Sequence, residues 1–416
     1  MQAAGQAPDE TIFTHLARAA AARGDPDAAL SFAREVVAAE RGGGGGGGGK
    51  MVARLRTFQP ALVGLALAGR ADEALAVADE LAALGRDYLD LTESEYALLL
   101  EAVARGGSYA QFAALLGRMQ ADLNQLRPST LALVERFFAT PGAAAAFAEG
   151  GPMAGRGVGW EAARWVAVDR SGFSADAGEP LGCIDLSPAG WQSLLGTIFD
   201  AMGAARHGTE QARRDFEAWL SCHGPYEAII DGANAALFGR HDPPHTLDLG
   251  QVRAVWDAVQ LRFPDLRPLV VLSSGKRREV AARDPSDADA AWLLRLQRER
   301  RLYVTPRDCH DDWFWLYAAV RAGEKGVLVT NDELRDHIYA LLRPKHFFRW
   351  KERHIARFTL PQRPAAAPGR AGAAAAAWLH LPSPFTPCVQ QLPGSGAWMV
   401  PAADRDDWLL IRPRAG

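Results

Sequence analysis

Val327-Leu328-Val329-Thr330-Asn331-Asp332-Glu333-Leu334-Arg335-Asp336-His337 opens with three apolar residues and passes directly into acids, an amide and a basic pair. A short apolar run that breaks into polar residues reads as a buried strand feeding a helix start. Upstream, Ala228-Ile229-Ile230-Asp231-Gly232-Ala233-Asn234 is a second apolar strand that ends on an Asp, and His310-Asp311-Asp312-Trp313-Phe314-Trp315 sets two acids before an aromatic helix. In open α/β sheets, ligands bind beyond the carboxyl ends of the strands. Clustered carboxylates repel unless cations lie among them, so the pattern predicts a hard-metal site suited to phosphodiester cleavage.

Around these motifs, strands alternate with amphipathic helices from about Trp191 to Phe358. Leu269-Val270-Val271-Leu272 and Leu302-Tyr303-Val304 supply two further apolar strands. That rhythm predicts a parallel sheet flanked by helices over 191–365. N-terminal to it, Trp165-Val166-Ala167-Val168 and Leu181–Leu186 read as short strands after a composition break at Gly150–Gly159. A Pro/Ala-rich linker spans Pro361 to Ala377, and the tail from Trp378 carries short strand patterns. The tail is too small to fold alone, so 155–190 and 375–416 are expected to form one split β domain bracketing the α/β domain.

The first 145 residues are Ala/Leu-rich and helical in period. Phe13, Phe58 and Tyr96 each stand eleven residues ahead of Gly24, Gly69 and Gly107, and a small or acidic helix opening follows each glycine. The units start 45 and 38 residues apart, and removing the eight glycines Gly42–Gly49 brings the first spacing to 37. That is the period of helical-hairpin solenoids, with the glycine tract an insertion in a turn. The repeated aromatics read as core, not as ligand contacts.

Bulk properties exclude little. With 46 Lys and Arg against 49 Asp and Glu the net charge is −3, yet Arg343, Lys345, Arg349, Lys351, Arg353 and Arg357 crowd one stretch, and Lys276-Arg277-Arg278 forms a second. An acidic metal site lowers the total without abolishing basic patches. No apolar run approaches the ~20 residues of a membrane span. Cys183, Cys222, Cys309 and Cys388 are scattered, as in a reducing compartment. The expectation is a soluble intracellular protein of the nucleus or of an organelle (mitochondrion or chloroplast), the choice left open.

Asp231 and Asp332 each end a strand, and Asp336 falls one helical turn after Asp332, on the same face. Asp311 and Asp312 begin the aromatic helix. Together they could bridge one or two Mg²⁺ ions, with Asn234 and Asn331 orienting carboxylates or phosphate. A helix-capping role would account for Asp311 or Asp312 singly, and simple surface exposure for Asp336 beside Arg335. Four such acids at strand ends and a helix start of one domain are what favours a site.

These motifs resemble protein-only ribonuclease P. The resemblance rests on Ile230–Asn234, on Asp311–Ala318, on Thr330–His337 and on Phe348-Arg349-Trp350-Lys351-Glu352-Arg353-His354, with Leu379-His380-Leu381-Pro382 and Trp408-Leu409 in the tail. It implies pentatricopeptide-type repeats over 1–145, a split central domain and an NYN/PIN-like metallonuclease. It places Asp231, Asp311, Asp312 and Asp332 at the family's metal-binding catalytic positions, with Asp336 close by. Arg335, His337, Arg349, Lys351 and Arg353 are expected to support the site or bind RNA. The implied reaction is Mg²⁺-dependent (or Mn²⁺-dependent) removal of the 5′ leader of precursor tRNA, leaving a 5′-phosphate on the tRNA and a 3′-hydroxyl on the leader. A chain carrying both grip and nuclease needs no obligatory protein or RNA subunit.

The family's central domain is usually pinned by zinc, and here this sequence departs. The expected ligand positions fall on Ser174, Ala177, Met399 and Leu410, none of which is a zinc ligand. Loss of all four together predicts an apolar contact in place of the metal, and no structural zinc. Cys183, His380 and Cys388 match no usual zinc spacing. Two other functions are compatible with parts of the pattern: a metallonuclease for another structured RNA, and a non-catalytic RNA-binding adaptor. Retention of the whole carboxylate set speaks against the adaptor, because binding phosphates gains nothing from clustered negative charge.

Overall fold

The computed structural model describes residues 9–41, 51–85, 89–203, 209–239, 247–284, 286–335, 344–361 and 376–416. They divide into two compact units, Met1–Ile184 with Pro384–Gly416, and Asp185–Ser383.

The first unit begins with helices α1 (Glu10–Ala22), α2 (Pro26–Arg41), α3 (Leu55–Leu67), α4 (Ala71–Ala83), α5 (Glu93–Gly106), α6 (Tyr109–Asp122), α7 (Pro128–Phe138) and the short α8 (Pro141–Ala144). Local chemistry sets their ends. Asp9 Oδ1 accepts the Ile12 N–H at 3.0 Å, and Thr92 with Glu95 and Ser108 with Gln111 form capping boxes. Gly24 and Gly69 close the first helices of two repeats at φ 78° and 68°, where a Cβ is disfavoured. Gly107 differs, leaving its helix in an extended conformation at φ −90°. Phe58 and Tyr96 are buried and Phe13 is partly buried, in one core with Leu62, Leu99 and Phe112. The repeated aromatics are therefore packing residues.

Behind the helices come β1 (Arg164–Val166), β2 (Phe173–Ser174) and β3 (Glu179–Pro180). β1 pairs antiparallel with the returning strand Trp408–Ile411, which pairs in turn with Trp398–Pro401. Leu181–Leu186 does not form the strand its sequence predicts. Side chains take the place of a strand partner: Gly182 N–H donates to Gln390 Oε1 and Ile184 N–H to Thr386 Oγ1, each at 2.8 Å.

The second unit contains α9 (Pro188–Gly203), α10 (Glu210–His223), β4 (Ala228–Asp231), α11 (Gly232–Leu237), α12 (Leu249–Arg262), β5 (Pro268–Ser273), α13 (Ser274–Ala281), α14 (Ala288–Arg298), β6 (Leu302–Thr305), α15 (Asp311–Arg321), β7 (Val327–Val329), α16 (Pro344–His354), β8 (Ile355–Thr359) and β9 (Trp378–His380). The strand order is β6-β5-β4-β7-β8-β9, parallel except for the antiparallel edge pair β8–β9. β9 thus belongs to this sheet and not, as the sequence reading had it, with the strands near 160–190. Alternation divides the strands between two cores. Ile229, Leu269, Leu328 and Ile355 pack with the buried α15, while Ile230, Val270, Val329 and Phe358 pack with α12 and α14.

The chain leaves β4 toward β5 and β6, then returns to the other side of β4 for β7 and β8. A crevice opens at such a reversal, beyond the carboxyl ends of β4 and β7. Among the described residues no helix is long and apolar enough to cross a membrane.

Candidate active site

Asp231 is the last residue of the wholly buried β4, so the strand fixes its backbone and leaves its carboxylate at the crevice. It is 4 % exposed. Its Oδ1 accepts the Asn234 N–H at 3.0 Å and its Oδ2 accepts the Thr330 hydroxyl at 2.9 Å. Gly232 follows because nothing larger fits: a Cβ there would lie 2.8 Å from both the Val270 side chain and the Val271 carbonyl oxygen. Burial pushes the Asp231 carboxyl up to about 7 against the lowering pull of the Asn234 N–H, with the charges of Asp312 and Asp311 adding to the rise.

Asp311 and Asp312 occupy the first turn of α15, whose aromatic and aliphatic residues from Trp313 to Val320 are all buried. Burial, then Asp311 and Asp332, raise the Asp312 carboxyl to about 6. Asp311 Oδ2 is buried and has no hydrogen-bond partner among the described residues, and Lys276 Nζ stands 3.9 Å from it. Lys276 lies in the first turn of α13, directly after β5. The sequence shows it only as part of a basic triplet; its place one turn past a strand end is the signal that singles it out.

Asp332 lies in the loop after β7, where its N–H donates to Thr330 Oγ1 at 3.1 Å and its Oδ1 accepts the Leu334 N–H at 2.6 Å. Thr330 is fully buried and joins two of the acids: its hydroxyl donates to Asp231 and accepts from the backbone of Asp332. The sequence names it only as the first residue of the Thr330–His337 motif and gives it no role. Leu334, at φ 57° and fully buried, anchors the loop in a conformation uncommon for a branched side chain. Such strain persists where the surroundings over-determine it.

Asn234 and Asn331 serve the loops directly. Asn234 Oδ1 accepts the Asn331 N–H at 2.9 Å, while the Asn331 side chain donates to Phe358 O and accepts from Phe358 N–H at 2.8 and 3.1 Å. The basic stretch is similarly engaged. Lys351 Nζ donates to Glu333 O at 2.6 Å, Arg353 to Ser383 O at 3.0 Å and Arg357 to Asn331 O at 2.6 Å, and Arg349 is 4 % exposed. Arg335 is exposed, and Asp336 and His337 lie outside the described residues.

Asp231, Asp311, Asp312 and Asp332 therefore meet at one crevice, near enough for three of them to weigh on the ionisation of the others. Among the described residues no three His, Cys, Asp or Glu side chains close to metal-ligating distance. The donor set still fits a hard divalent cation: carboxylate oxygens, two of the acids held near neutral by burial, and one buried oxygen lacking a donor. Zinc does not fit the central β strands. Met399 and Leu410 are opposite one another in register and buried in an apolar cluster with Val166, Leu181 and Trp408, with Ala177 packed against it; Ser174 is buried without a partner for its hydroxyl.

A parallel sheet with acids at its switch point, in a chain that also carries helical hairpins, is the arrangement of an α/β nuclease with a helical repeat array. The profile of protein-only RNase P matches residues 168–406, and that of the pentacotripeptide-repeat region of PRORP matches residues 1–145. Proteinaceous RNase P 3 of Arabidopsis thaliana is 29 % identical over 443 residues, covering 99 % of this chain and 72 % of that protein. The mitochondrial ribonuclease P catalytic subunit of Rattus norvegicus is 26 % identical over 199 residues, covering 46 % of this chain and 32 % of that protein. The crystal structure of nuclear proteinaceous RNase P 2 from A. thaliana superposes with a TM-score of 0.76 at 27 % identity, covering 100 % of this chain and 84 % of the other. The chain belongs to the protein-only RNase P family, and it is an endoribonuclease of tRNA processing.

Proposed function

We propose that this chain removes the 5′ leader of precursor tRNA by divalent-metal-dependent hydrolysis, leaving a 5′-phosphate on the tRNA and a 3′-hydroxyl on the leader. The observation that carries the reading is the convergence of Asp231 and Asp312, raised to about 7 and 6, with the unpartnered Asp311 oxygen at the sheet's switch point. Asp231, Asp311, Asp312 and Asp332 would hold Mg²⁺ or Mn²⁺, one ion or two, with Asp336 near them. When bound, such an ion makes a water acidic enough to attack and neutralises the leaving oxygen. The chain's own part is positional. Thr330 fixes the Asp231 carboxylate, the Asp332 backbone and Thr330 hold one another, and Asn234 with Asn331 locks the two loops together. Lys276, beside Asp311, supplies a cation at the edge of the crevice.

The helical repeats over 1–145 would grip the folded tRNA, which is read by shape, backbone and exposed bases. Neither a protein nor an RNA subunit is required. Relatives include a chloroplastic/mitochondrial and a nuclear protein, and either location fits this chain.

The central β strands hold together without structural zinc, the Met399–Leu410 contact standing where the family has metal ligands. What supports this is the apolar cluster around that contact. Elemental analysis of purified protein should find no stoichiometric zinc, and EDTA should leave the fold intact; one zinc per chain would overturn the reading.

The decisive test is cleavage of a 5′-labelled precursor tRNA in Mg²⁺, with Asp332→Ala alongside. A single cut at the mature 5′ end, lost in the variant, is the expected result. Cutting of unstructured RNA with equal ease would point to another substrate, and cleavage that survives Asp332→Ala would refute the site.

A further inference from the structure

A row of side chains runs from the carboxylates to the edge of the nuclease sheet. Ile229, Leu328 and Ile355 share one face, so the residues two further along, Asp231, Thr330 and Arg357, share it as well. The bond from Thr330 Oγ1 to Asp231 Oδ2 agrees with that alignment. Across the antiparallel pair, Arg357 is opposite His380 and Thr359 is opposite Trp378, and opposed residues point to the same side. Asp231, Thr330, Arg357 and His380 thus form one level across four strands, with Thr359 and Trp378 beside its outer end. Three interstrand steps place His380 about 14 Å from Asp231.

The outer end of this row is open. Trp378 is 69 % exposed, and Thr359 and His380 are exposed too. Thr359 Oγ1 lies 3.1 Å from His380 Nε2, which orders the imidazole. Arg357 is partly accessible and bonds to Asn331 O, so the cation is tied to the residue preceding Asp332. Large exposed aromatics mark contact surfaces, and here the aromatic stands at the end of a line of groups that starts at the reacting centre.

We propose that Trp378 and His380, with Arg357 behind them, form a stacking platform for the single-stranded 5′-leader nucleotides beyond the cleaved bond. The proposal rests on the chain's acting on RNA. The chemistry favours that occupant over a protein: indole and imidazole rings offer faces to successive bases, and an RNA cut at the crevice must continue past it, while Arg357, paired with Glu333 at 3.0 Å, braces the loop behind them.

The test compares full-length wild type with Trp378→Ala, Trp378→Phe and His380→Ala. Affinity is measured by fluorescence anisotropy in Ca²⁺ for precursor tRNAs with one-nucleotide and eight-nucleotide 5′ leaders, and for a matching pair with and without a 3′ trailer. The readout is the ratio of dissociation constants between short- and long-flank RNA, which a general loss of folding does not change. Wild type should bind the long flank at least about five-fold more tightly, Trp378→Ala should bring the ratio close to one, and Trp378→Phe should restore most of it. A ratio lost with the leader pair supports the platform, and one lost with the trailer pair alone overturns it. An unchanged ratio in Trp378→Ala, or no flank dependence in wild type, overturns the proposal. Absence of cleavage by wild type in a parallel Mg²⁺ assay would count against precursor-tRNA processing, while the binding ratios would still decide the platform.

Discussion

Asp231→Asn should make the metal-free protein more stable while abolishing its activity. The Asp231 carboxyl is raised from 3.8 to about 7, first by burial and then by its acidic neighbours, so its anionic form disfavours the folded state. The sign follows from linkage. A carboxyl whose folded pKa is raised supports the fold fully only below the unfolded value near 3.8, and that support is lost as the pH climbs toward 7. At about 1.36 kcal/mol for each of roughly three pH units, the cost at pH 8 reaches about 4 kcal/mol at most. Asparagine keeps the shape and the acceptor for the Asn234 N–H without the charge. For a unit of this size 1 kcal/mol moves the melting temperature by roughly 2–4 °C, so a rise is expected in EDTA at pH 8, with a ceiling of about 8–16 °C. The assay is thermal melting of both proteins at pH 8 and pH 5, in EDTA and in Mg²⁺. The gap should narrow at pH 5, and Mg²⁺ should stabilise the wild type more than the variant. A variant that melts at or below the wild type in EDTA at pH 8 would refute the reasoning.

Thr330→Val keeps the branched shape but removes the hydroxyl that donates to Asp231 and accepts from Asp332 N–H. Single-turnover cleavage should fall about ten-fold or more and need more Mg²⁺, with Thr330→Ser recovering most of the loss; equal Mg²⁺ curves for all three would deny the role. Asp185 accepts from His354 Nε2 at 3.0 Å, while His354 Nδ1 faces Gly326 O at 2.7 Å. Although burial pulls the other way, the hydrogen bond and charge of His354 hold the Asp185 carboxyl below its usual value. That stability is present above an unfolded pKa near 3.8 and is lost as the pH falls through the lower folded value. Asp185→Asn should therefore cost on the order of 1–3 kcal/mol at pH 7 and flatten the acid limb of the melting profile; an unchanged limb would count against the pairing.

The strand-end acids were legible because a strand and its terminal Asp are contiguous: Ile229-Ile230-Asp231 needs no distant partner to be read. Groups whose role depends on pairing were not. Asn331 reads as a donor that orients carboxylates or phosphate, yet its amide closes a two-bond bridge to the Phe358 backbone, set by the β7–β8 register. Trp378–His380 is three residues long and follows a Pro/Ala-rich stretch, so nothing local says which sheet it joins. Its pairing with β8 is what brings His380 level with Arg357. The basic stretch misleads in the opposite way. Composition presents it as a surface patch, but Arg349 is buried and Lys351, Arg353 and Arg357 bond to backbone carbonyls.

Two of those carbonyl bonds bear on the chemistry. Lys351 and Arg357 converge on Glu333 and Asn331, the neighbours of Asp332 on either side. Two cations thus brace the loop that carries an acid into an already anionic crevice. The bracing acts on backbone oxygens and on the Glu333 carboxylate, leaving the Asp332 carboxylate available to a cation arriving from solvent. Asp311 and Asp312 are held differently, by burial of the whole aromatic helix behind them. A fold built this way accepts repulsion in its metal-free state, and the entering ion relieves it. Ion binding and stability of the nuclease unit are therefore coupled at the same four side chains.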